Sequence, residues 1–287
     1  MQQTLGMIEK LNRSGKKLSK SHRRIAEYIA QHYDKAVYMT ASKLGDMVGV
    51  SESTVVRFAV AMGYEGYPQL QRSLQELVRH RLTATQRFEM TSEISEGSVL
   101  STVLRADMQN IRSTIEGIDE KAFQDAVEVI SGARRLYILG MRSAAPLAEF
   151  TGYYLHYVLD DVRVVAAGST DVFEAISRVE ENDAVLGISF PRYSSRTIEA
   201  MNFARIRGAQ VIGITDGPMS PLHDCSDICL SVRTDMASFV DSMAAPMSVV
   251  NALIVALGLK TKDAVSERFK QLEEVWDAYS VYMNESK

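Results

Sequence analysis

Between residues 40 and 62 the apolar positions form two short helical stripes separated by a glycine, in TASKLGDMVGVSESTVVRFAVAM. Ala41, Leu44, Met47 and Val48 recur at helical spacing, and Val55, Phe58, Ala59 and Met62 form a second stripe at i, i+3, i+4 and i+7. Thr40 and Ser51 stand where side-chain oxygens can accept from the free N–H groups of each helix. Gly49 lies where a left-handed helix terminus needs a residue without Cβ strain. Opposite the second stripe lie Ser53, Val56, Arg57 and Val60, with Thr54 at the border. The solvent face of an ordinary two-helix hairpin would be rich in Glu and Lys, whereas this one has Glu52 at its start and no acid or lysine after it. Short polar side chains let a helix approach base edges in a major groove, and an arginine there can reach a guanine or a phosphate. The pattern predicts a DNA-reading helix-turn-helix, with Ser53, Thr54 and Arg57 on the reading face and Thr40, Lys43 and Ser51 beside it.

Residues 1–82 read as all helical. Ile25, Tyr28 and Ile29 mark a helix before the hairpin, and Pro68 opens another whose inner stripe is Leu70, Leu74, Leu77 and Val78. Periodicity is lost over 83–98, TATQRFEMTSEISEGS, which reads as a linker in which Phe88 and Met90 are the apolar exceptions. From residue 99 the pattern changes. Leu100, Leu104, Met108, Ile111 and Ile115 outline one helix ending near Gly117. Asp119 caps the next, which buries Phe123, Ala126, Val127 and Ile130. Five short, β-branched, nearly continuous apolar runs then alternate with helical stretches, at 136–140, 162–166, 184–190, 210–215 and 228–232. Such runs suit strands covered on both faces, and the alternation predicts a parallel, doubly wound sheet. Residues 236–258 read as one buried helix bent or interrupted at Pro246. The last helix carries Val265, Phe269, Leu272, Trp276, Tyr279 and Met283, a heptad seam that either covers the sheet or joins a second copy. The division is 1–82, a linker at 83–98, and 99–287.

Charge separates the two parts. Residues 1–85 carry 13 Lys and Arg against 7 Asp and Glu, net +6, and the remainder carries 19 against 29, net −10. A basic small domain beside an acidic larger one suits a nucleic-acid binder with a separate sensing domain. Lys16, Lys17, Lys20, Arg23 and Arg24 cluster at the first helix, and Lys20 and Arg23 are candidate phosphate contacts. Composition is that of an ordinary globular protein, 46% apolar and 24% charged. No 18-residue apolar run or signal-peptide pattern points to a membrane or to export, so a cytoplasmic location is expected. Cys225 and Cys229 lack metal or redox spacing, and no metal or cofactor is expected. Cys229 is expected in a strand and Cys225 in the loop before it.

Two strand-to-helix turns carry candidate ligand chemistry. One is Met141-Arg142-Ser143 after the strand ending at Gly140. The other runs from Pro191 to Thr197 and holds Arg192, Tyr193, Ser194, Ser195 and Arg196. Hydroxyls, free helix N–H groups and guanidinium suit a phosphate at the carboxyl edge of a parallel sheet. Neither turn is a dinucleotide fingerprint or a P-loop. A third turn, with Asp216, Ser220 and Pro221, reads as loop chemistry.

These residues resemble the RpiR/MurR-type bacterial transcription regulators, which join an N-terminal helix-turn-helix to a C-terminal sugar isomerase (SIS) domain. The specific pieces are VSESTVVRFAVAMGYEGYPQL and ISFPRYSSRTIEAMNFARIRGAQVIGITD. The resemblance implies a five-stranded parallel sheet flanked by helices, dimers or tetramers, a near-palindromic double-stranded DNA operator, and control by a small phosphorylated sugar. Carried over, Ser189, Ser194, Ser195 and Thr197 fall on the phosphate loop, which here has Pro191 and Arg192 as extra residues. After the first strand, Arg142 stands at the family's second glycine and Ala144 at its serine, leaving Arg142 and Ser143 for the anion contact. The alternative is an isomerase with a helical extension. That chemistry needs a base and a ring-opening group, and Glu174, His156 and His223 match no catalytic motif. A non-enzymatic sensor is the expectation.

Overall fold

Ser19 starts the first described helix, its hydroxyl accepting from the His22 N–H across 3.2 Å. The computed structural model describes residues 19–37, 39–79, 83–91, 96–166, 171–236 and 238–282. Lys16, Lys17 and Met283 lie outside them, as do the side chains of Leu77, Val78 and Met90. The chain divides into two compact units, Met1–Met90 and Thr91–Lys287.

The described part of the first unit holds α1 (Lys20–Gln31), α2 (Tyr33–Ala36), α3 (Ala41–Val48), α4 (Glu52–Ala61), α5 (Tyr67–Arg79) and α6 (Ala84–Thr91). Ile25 and Ile29 of α1, Leu44 and Val48 of α3, Val55, Phe58 and Ala59 of α4, and Leu70 and Leu74 of α5 close one core. Met47, assigned to that stripe by spacing, is 55% exposed because it lies on the outer side of the short α3. Helix α6 replaces the expected linker over 84–91. Thr83 and Gln86 bond to each other at its start, and this local cap offsets the weak periodicity.

The second unit holds a five-stranded, wholly parallel sheet in the order β2-β1-β3-β4-β5. The strands are β1 (Leu136–Gly140), β2 (Val162–Val165), β3 (Ala184–Ile188), β4 (Gln210–Thr215) and β5 (Ile228–Ser231). The helices are α7 (Val99–Gly117), α8 (Glu120–Gly132), α9 (Ala145–Val158), α10 (Val172–Ala175), α11 (Ser195–Ile206), α12 (Pro221–Cys225), α13 (Ala244–Lys260) and α14 (Lys262–Ala278). Alternate strand residues bury on opposite faces, as a period of two requires. Leu136, Ile138, Leu186 and Ile212 meet α8, α9 and α13, while Tyr137, Leu139, Val185 and Val211 meet α10, α11 and α12. β2 departs from the expectation of full cover: as an edge strand it leaves Arg163 and Val164 exposed. Three runs also end earlier than their apolar patterns suggest, because residues 166, 189–190 and 232 have already turned into loops.

Three further expectations change. Helix α13 begins at Ala244, so Pro246 sits in its first turn, where its missing N–H costs nothing, and 238–243 is irregular. Cys225 ends α12 and is not in a loop. Among the described residues the seam on α14 has no fully buried member, and the helix packs chiefly on α9 and α13.

Helix α7 turns most of its expected stripe outward and keeps Ile111 against the core. Its fully buried residues are polar: the Asn110 amide exchanges bonds of 2.8 and 2.9 Å with the Asp235 backbone, and the Thr114 hydroxyl accepts from the Arg233 N–H at 3.0 Å. Its apolar stripe faces out, with Leu100 75%, Leu104 54%, Met108 69% and Ile115 72% exposed.

Candidate functional site

In the first unit, α3 and α4 are set by their caps and by one close approach. The Thr40 hydroxyl accepts from the Lys43 N–H at 3.2 Å, and Gly49 ends α3 at φ 71°. Gly45 is buried where a Cβ would stand 2.7 Å from the Val50 carbonyl oxygen, so the two helices meet only if this position has no side chain. Gly45→Val should therefore lower the stability of this unit by about 1–3 kcal/mol. Thermal unfolding followed by circular dichroism checks this, and an unchanged first transition would contradict it. The Arg24 guanidinium donates to the Val48 carbonyl at the end of α3, so this member of the basic cluster is a helix clamp. The Tyr67 hydroxyl donates to the Met39 carbonyl at 2.8 Å, and burial raises its pKa to about 12. Gln71 donates to the same oxygen at 3.0 Å, so α5 fixes the chain just before the Thr40 cap.

Helix α4 presents Ser53, Val56, Arg57 and Val60 to solvent, with Thr54 half-buried. Ser51 occupies the N-cap position but makes no cap bond. Its hydroxyl instead bonds Thr54 Oγ1 at 2.8 Å and Ser53 Oγ at 3.0 Å, which gathers three hydroxyls on the first turn. Arg57 Nε donates to the Ser53 carbonyl at 3.3 Å, so the guanidinium lies back toward that turn. The His22 ring packs edge-on against Phe58 at 5.7 Å, which brings the start of α1 beside α4. Lys20 and Arg23 of α1 and Lys43 of α3 are exposed.

In the second unit, β1 and β3 are neighbours, with Gly140 paired to Ile188, while the chain leaves β1 for β2 on one side and enters β3 on the other. This is the topological switch point, where the loops from two strands part and leave a crevice. After β3, Ser189 is buried and its hydroxyl accepts from the Ser194 N–H at 3.2 Å. Ser194 caps α11, accepting from the Thr197 N–H at 3.4 Å. The Thr197 side chain is fully buried, and its hydroxyl has no hydrogen-bond partner among the described residues. A buried hydroxyl left so costs about 1–3 kcal/mol. Ser195 and Arg192 are exposed beside it.

After β1, Gly140 makes the turn possible: a Cβ there would stand 2.6 Å from Ala148 Cβ and 2.8 Å from the Ala144 carbonyl. Arg142 and Ser143 follow, both exposed, and Ala144 leaves α9 without a side-chain cap. Arg142 has φ 58° and Arg192 has φ 66°, a region that costs a residue with a Cβ about 1–2 kcal/mol. The third turn is drawn into the second. Tyr193 donates to Asp216 at 2.6 Å, and Thr215 donates to Ser220 at 2.6 Å and reaches Asp216 at 3.3 Å. Asp216 thus holds the β3 loop, a role its place in the sequence did not reveal, while Ser220 closes the turn after β4.

Two family models match this chain. Residues 5–80 match the helix-turn-helix domain of the rpiR family, and residues 129–256 match the SIS domain. The chain belongs to the RpiR family. The transcriptional regulator HexR of Pseudomonas aeruginosa is 23% identical over 93% of this chain and 94% of its own. HexR of Escherichia coli is also 23% identical, over 94% of each chain. Among solved structures, the sugar isomerase domain of an RpiR transcription factor from Sphaerobacter thermophilus has a TM-score of 0.59 at 23% identity, over 62% of this chain and 99% of that one. The Vibrio vulnificus NanR protein complexed with ManNAc-6P has a TM-score of 0.59 at 20% identity, over 97% of this chain and 100% of that one. The RpiR-family chain is therefore a helix-turn-helix transcriptional regulator with a SIS domain.

The isomerase candidates lie on three separate helices. Helix α9 runs away from the carboxyl edge, and His156 in its last turn lies about 16 Å along the axis from the helix start. Glu174 and His223 lie on separate short helices and are exposed. Among the described residues no single helix is long and apolar enough to cross a membrane.

Proposed function

We propose that this chain is a non-enzymatic, cytoplasmic regulator whose affinity for operator DNA is set by a phosphorylated sugar at the β1–β3 switch point. Ser53, Thr54 and Arg57 read bases. Thr40, Lys43, Ser51, Lys20 and Arg23 contact phosphates. Ser189, Ser194, Ser195 and Thr197 receive the sugar's phosphate, with Arg142, Ser143 and Arg192 around it. The working division is a DNA-binding part at 1–82, a connector at 83–98 and a sensing part at 99–287. The observation that carries the effector half is Thr197: a fully buried hydroxyl without a partner, in the first turn of a helix at a switch point, lacks an acceptor that a phosphate oxygen would supply. The ManNAc-6P complex of the NanR neighbour supports the same ligand class.

A screen of sugar phosphates by thermal unfolding tests it directly. A ligand at 100 times its dissociation constant adds about 2.7 kcal/mol of stability. At least one phosphorylated sugar should raise the melting temperature without being converted. Turnover of the ligand would favour the isomerase alternative.

A homodimer or homotetramer on a near-palindromic site completes the proposal, since one recognition helix reads few base pairs. The outward apolar stripe of α7 supports it. A groove of about 530 Å³ beside that stripe, lined by Ile115, Ile118, Phe123 and Val249, offers a second apolar surface. Leu104→Glu with Met108→Glu should convert a dimer to monomer in light scattering. A double variant with unchanged mass would place the contact elsewhere.

A further inference from the structure

Val56 and Val60 are 38% and 54% exposed, one turn apart on the outer side of α4. Neither belongs to the core of the first unit, where Val55, Phe58 and Ala59 fill the inner side of the same helix. Single exposed apolar residues are ordinary on a protein surface. This pair is set apart by its surroundings. Beyond Arg57 the exposed positions of α4 are Val60 and Ala61, so the second half of that side offers no polar group. Helix α1, by contrast, exposes no apolar residue larger than Ala30. A β-branched side chain also lowers helix propensity, because its χ1 is restricted against the preceding turn. Two of them on the open side of a ten-residue helix weaken it and gain no core packing in return.

Charge complementarity points to the occupant. The valines share their side of α4 with Arg57 and with the three hydroxyls gathered on its first turn. Lys20, Arg23 and Lys43 are exposed on α1 and α3, in a region that carries a net +6 over residues 1–85. A cationic rim around a partly apolar ridge suits a polyanion with apolar groups between its charges. The major groove of DNA is such a surface where it holds thymine, the base that presents a methyl group there. Four residues of helix advance about 6 Å, close to two base steps of about 3.4 Å each.

We infer that Val56 and Val60 read thymine 5-methyl groups, so that each half of the operator holds one or two thymines within about two base pairs of the base that Arg57 contacts. This rests on the reading of α4 as the base-contacting helix. It adds to that reading a contact that hydrogen bonds do not supply.

Uracil keeps the hydrogen-bonding edge of thymine and lacks only the methyl group, so it isolates the contact. Duplexes that the intact protein selects from a random pool would be remade with uracil at each thymine in turn. They would be titrated by fluorescence anisotropy against the intact protein and against Val56→Ala with Val60→Ala. Alanine favours the helix at both positions, so the variant keeps its fold. One or two uracil substitutions in each half-site should weaken binding by the intact protein about fourfold each, the ratio that burying one CH₂-sized group gives. The variant should bind the thymine duplex more weakly, and the same substitutions should lose most of their effect on it. A variant that binds more weakly yet keeps the full response to uracil would place the valines in a protein contact and overturn the inference. Selected duplexes in which no uracil substitution weakens binding would overturn it too, and would leave α4 as the reading helix if Arg57→Ala still loses specific binding. Failure of the protein to select any duplex would overturn both readings.

Discussion

Ser194→Ala combined with Thr197→Val is expected to abolish the effect of the sugar-phosphate effector on DNA affinity while leaving ligand-free DNA binding near normal. A hydrogen bond to a charged group contributes about 1.5–3 kcal/mol. Losing two of them weakens the effector by a hundredfold or more, which exceeds the 1–3 kcal/mol that typically couples two sites. The two substitutions act differently on the ligand-free protein. Ser194 caps α11, so its loss costs about 1 kcal/mol of stability. Thr197 has no partner to lose, and Val fills the same volume without a hydroxyl to desolvate. Thr197→Val alone should therefore melt at or above the parent temperature yet bind the effector poorly. Calorimetry and gel-shift titration on the same samples separate the two effects. A double variant that still responds fully would remove this loop from the effector site.

Arg57→Ala should weaken binding to the specific operator by about 1–3 kcal/mol, roughly 5–150-fold, if the guanidinium is bidentate to a guanine. It should barely change binding to unrelated DNA. Its side chain already lies along the exposed face of α4 beside three gathered hydroxyls, so little ordering remains to oppose binding. Lys20→Ala and Arg23→Ala should instead lower affinity on every sequence and flatten the salt dependence, because phosphate contacts release counterions and carry no sequence information. Gel-shift titrations at two salt concentrations distinguish the patterns. Unchanged specific binding in Arg57→Ala would take that residue off the reading face.

Elements whose burial is decided within one chain were legible from their spacing. The stripes Ile25/Ile29 and Val55/Phe58/Ala59, the cap at Thr40, the left-handed Gly49 and the apolar strands all follow from short-range periodicity and local stereochemistry. Helix α7 shows where periodicity stops. Its stripe at Leu100, Leu104, Met108 and Ile115 was visible, but that it faces outward depends on the bonds of Asn110 and Thr114 to a loop more than a hundred residues away. The clamp from Arg24 to Val48 and the bond linking Tyr193 to Asp216 are also non-local, so charge runs and turn composition gave no hint of them. At the phosphate loop the residue types were legible. Which hydroxyl is left unpartnered was not, because that depends on the packing of α11 over β3. The positive φ of Arg142 was foreshadowed by its standing at a family glycine, whereas that of Arg192 followed from nothing local beyond its place in a lengthened loop.

Fluorescence anisotropy measures whether a phosphorylated sugar changes the DNA affinity of this chain. Duplexes selected by the intact protein from a random pool would be titrated with and without each sugar phosphate that stabilises the protein. At least one such ligand should shift the dissociation constant for the selected duplex by roughly 5–150-fold, and the shift should be lost in Ser194→Ala with Thr197→Val. Ligands that bind and stabilise the protein yet leave DNA affinity unchanged would rule that coupling out.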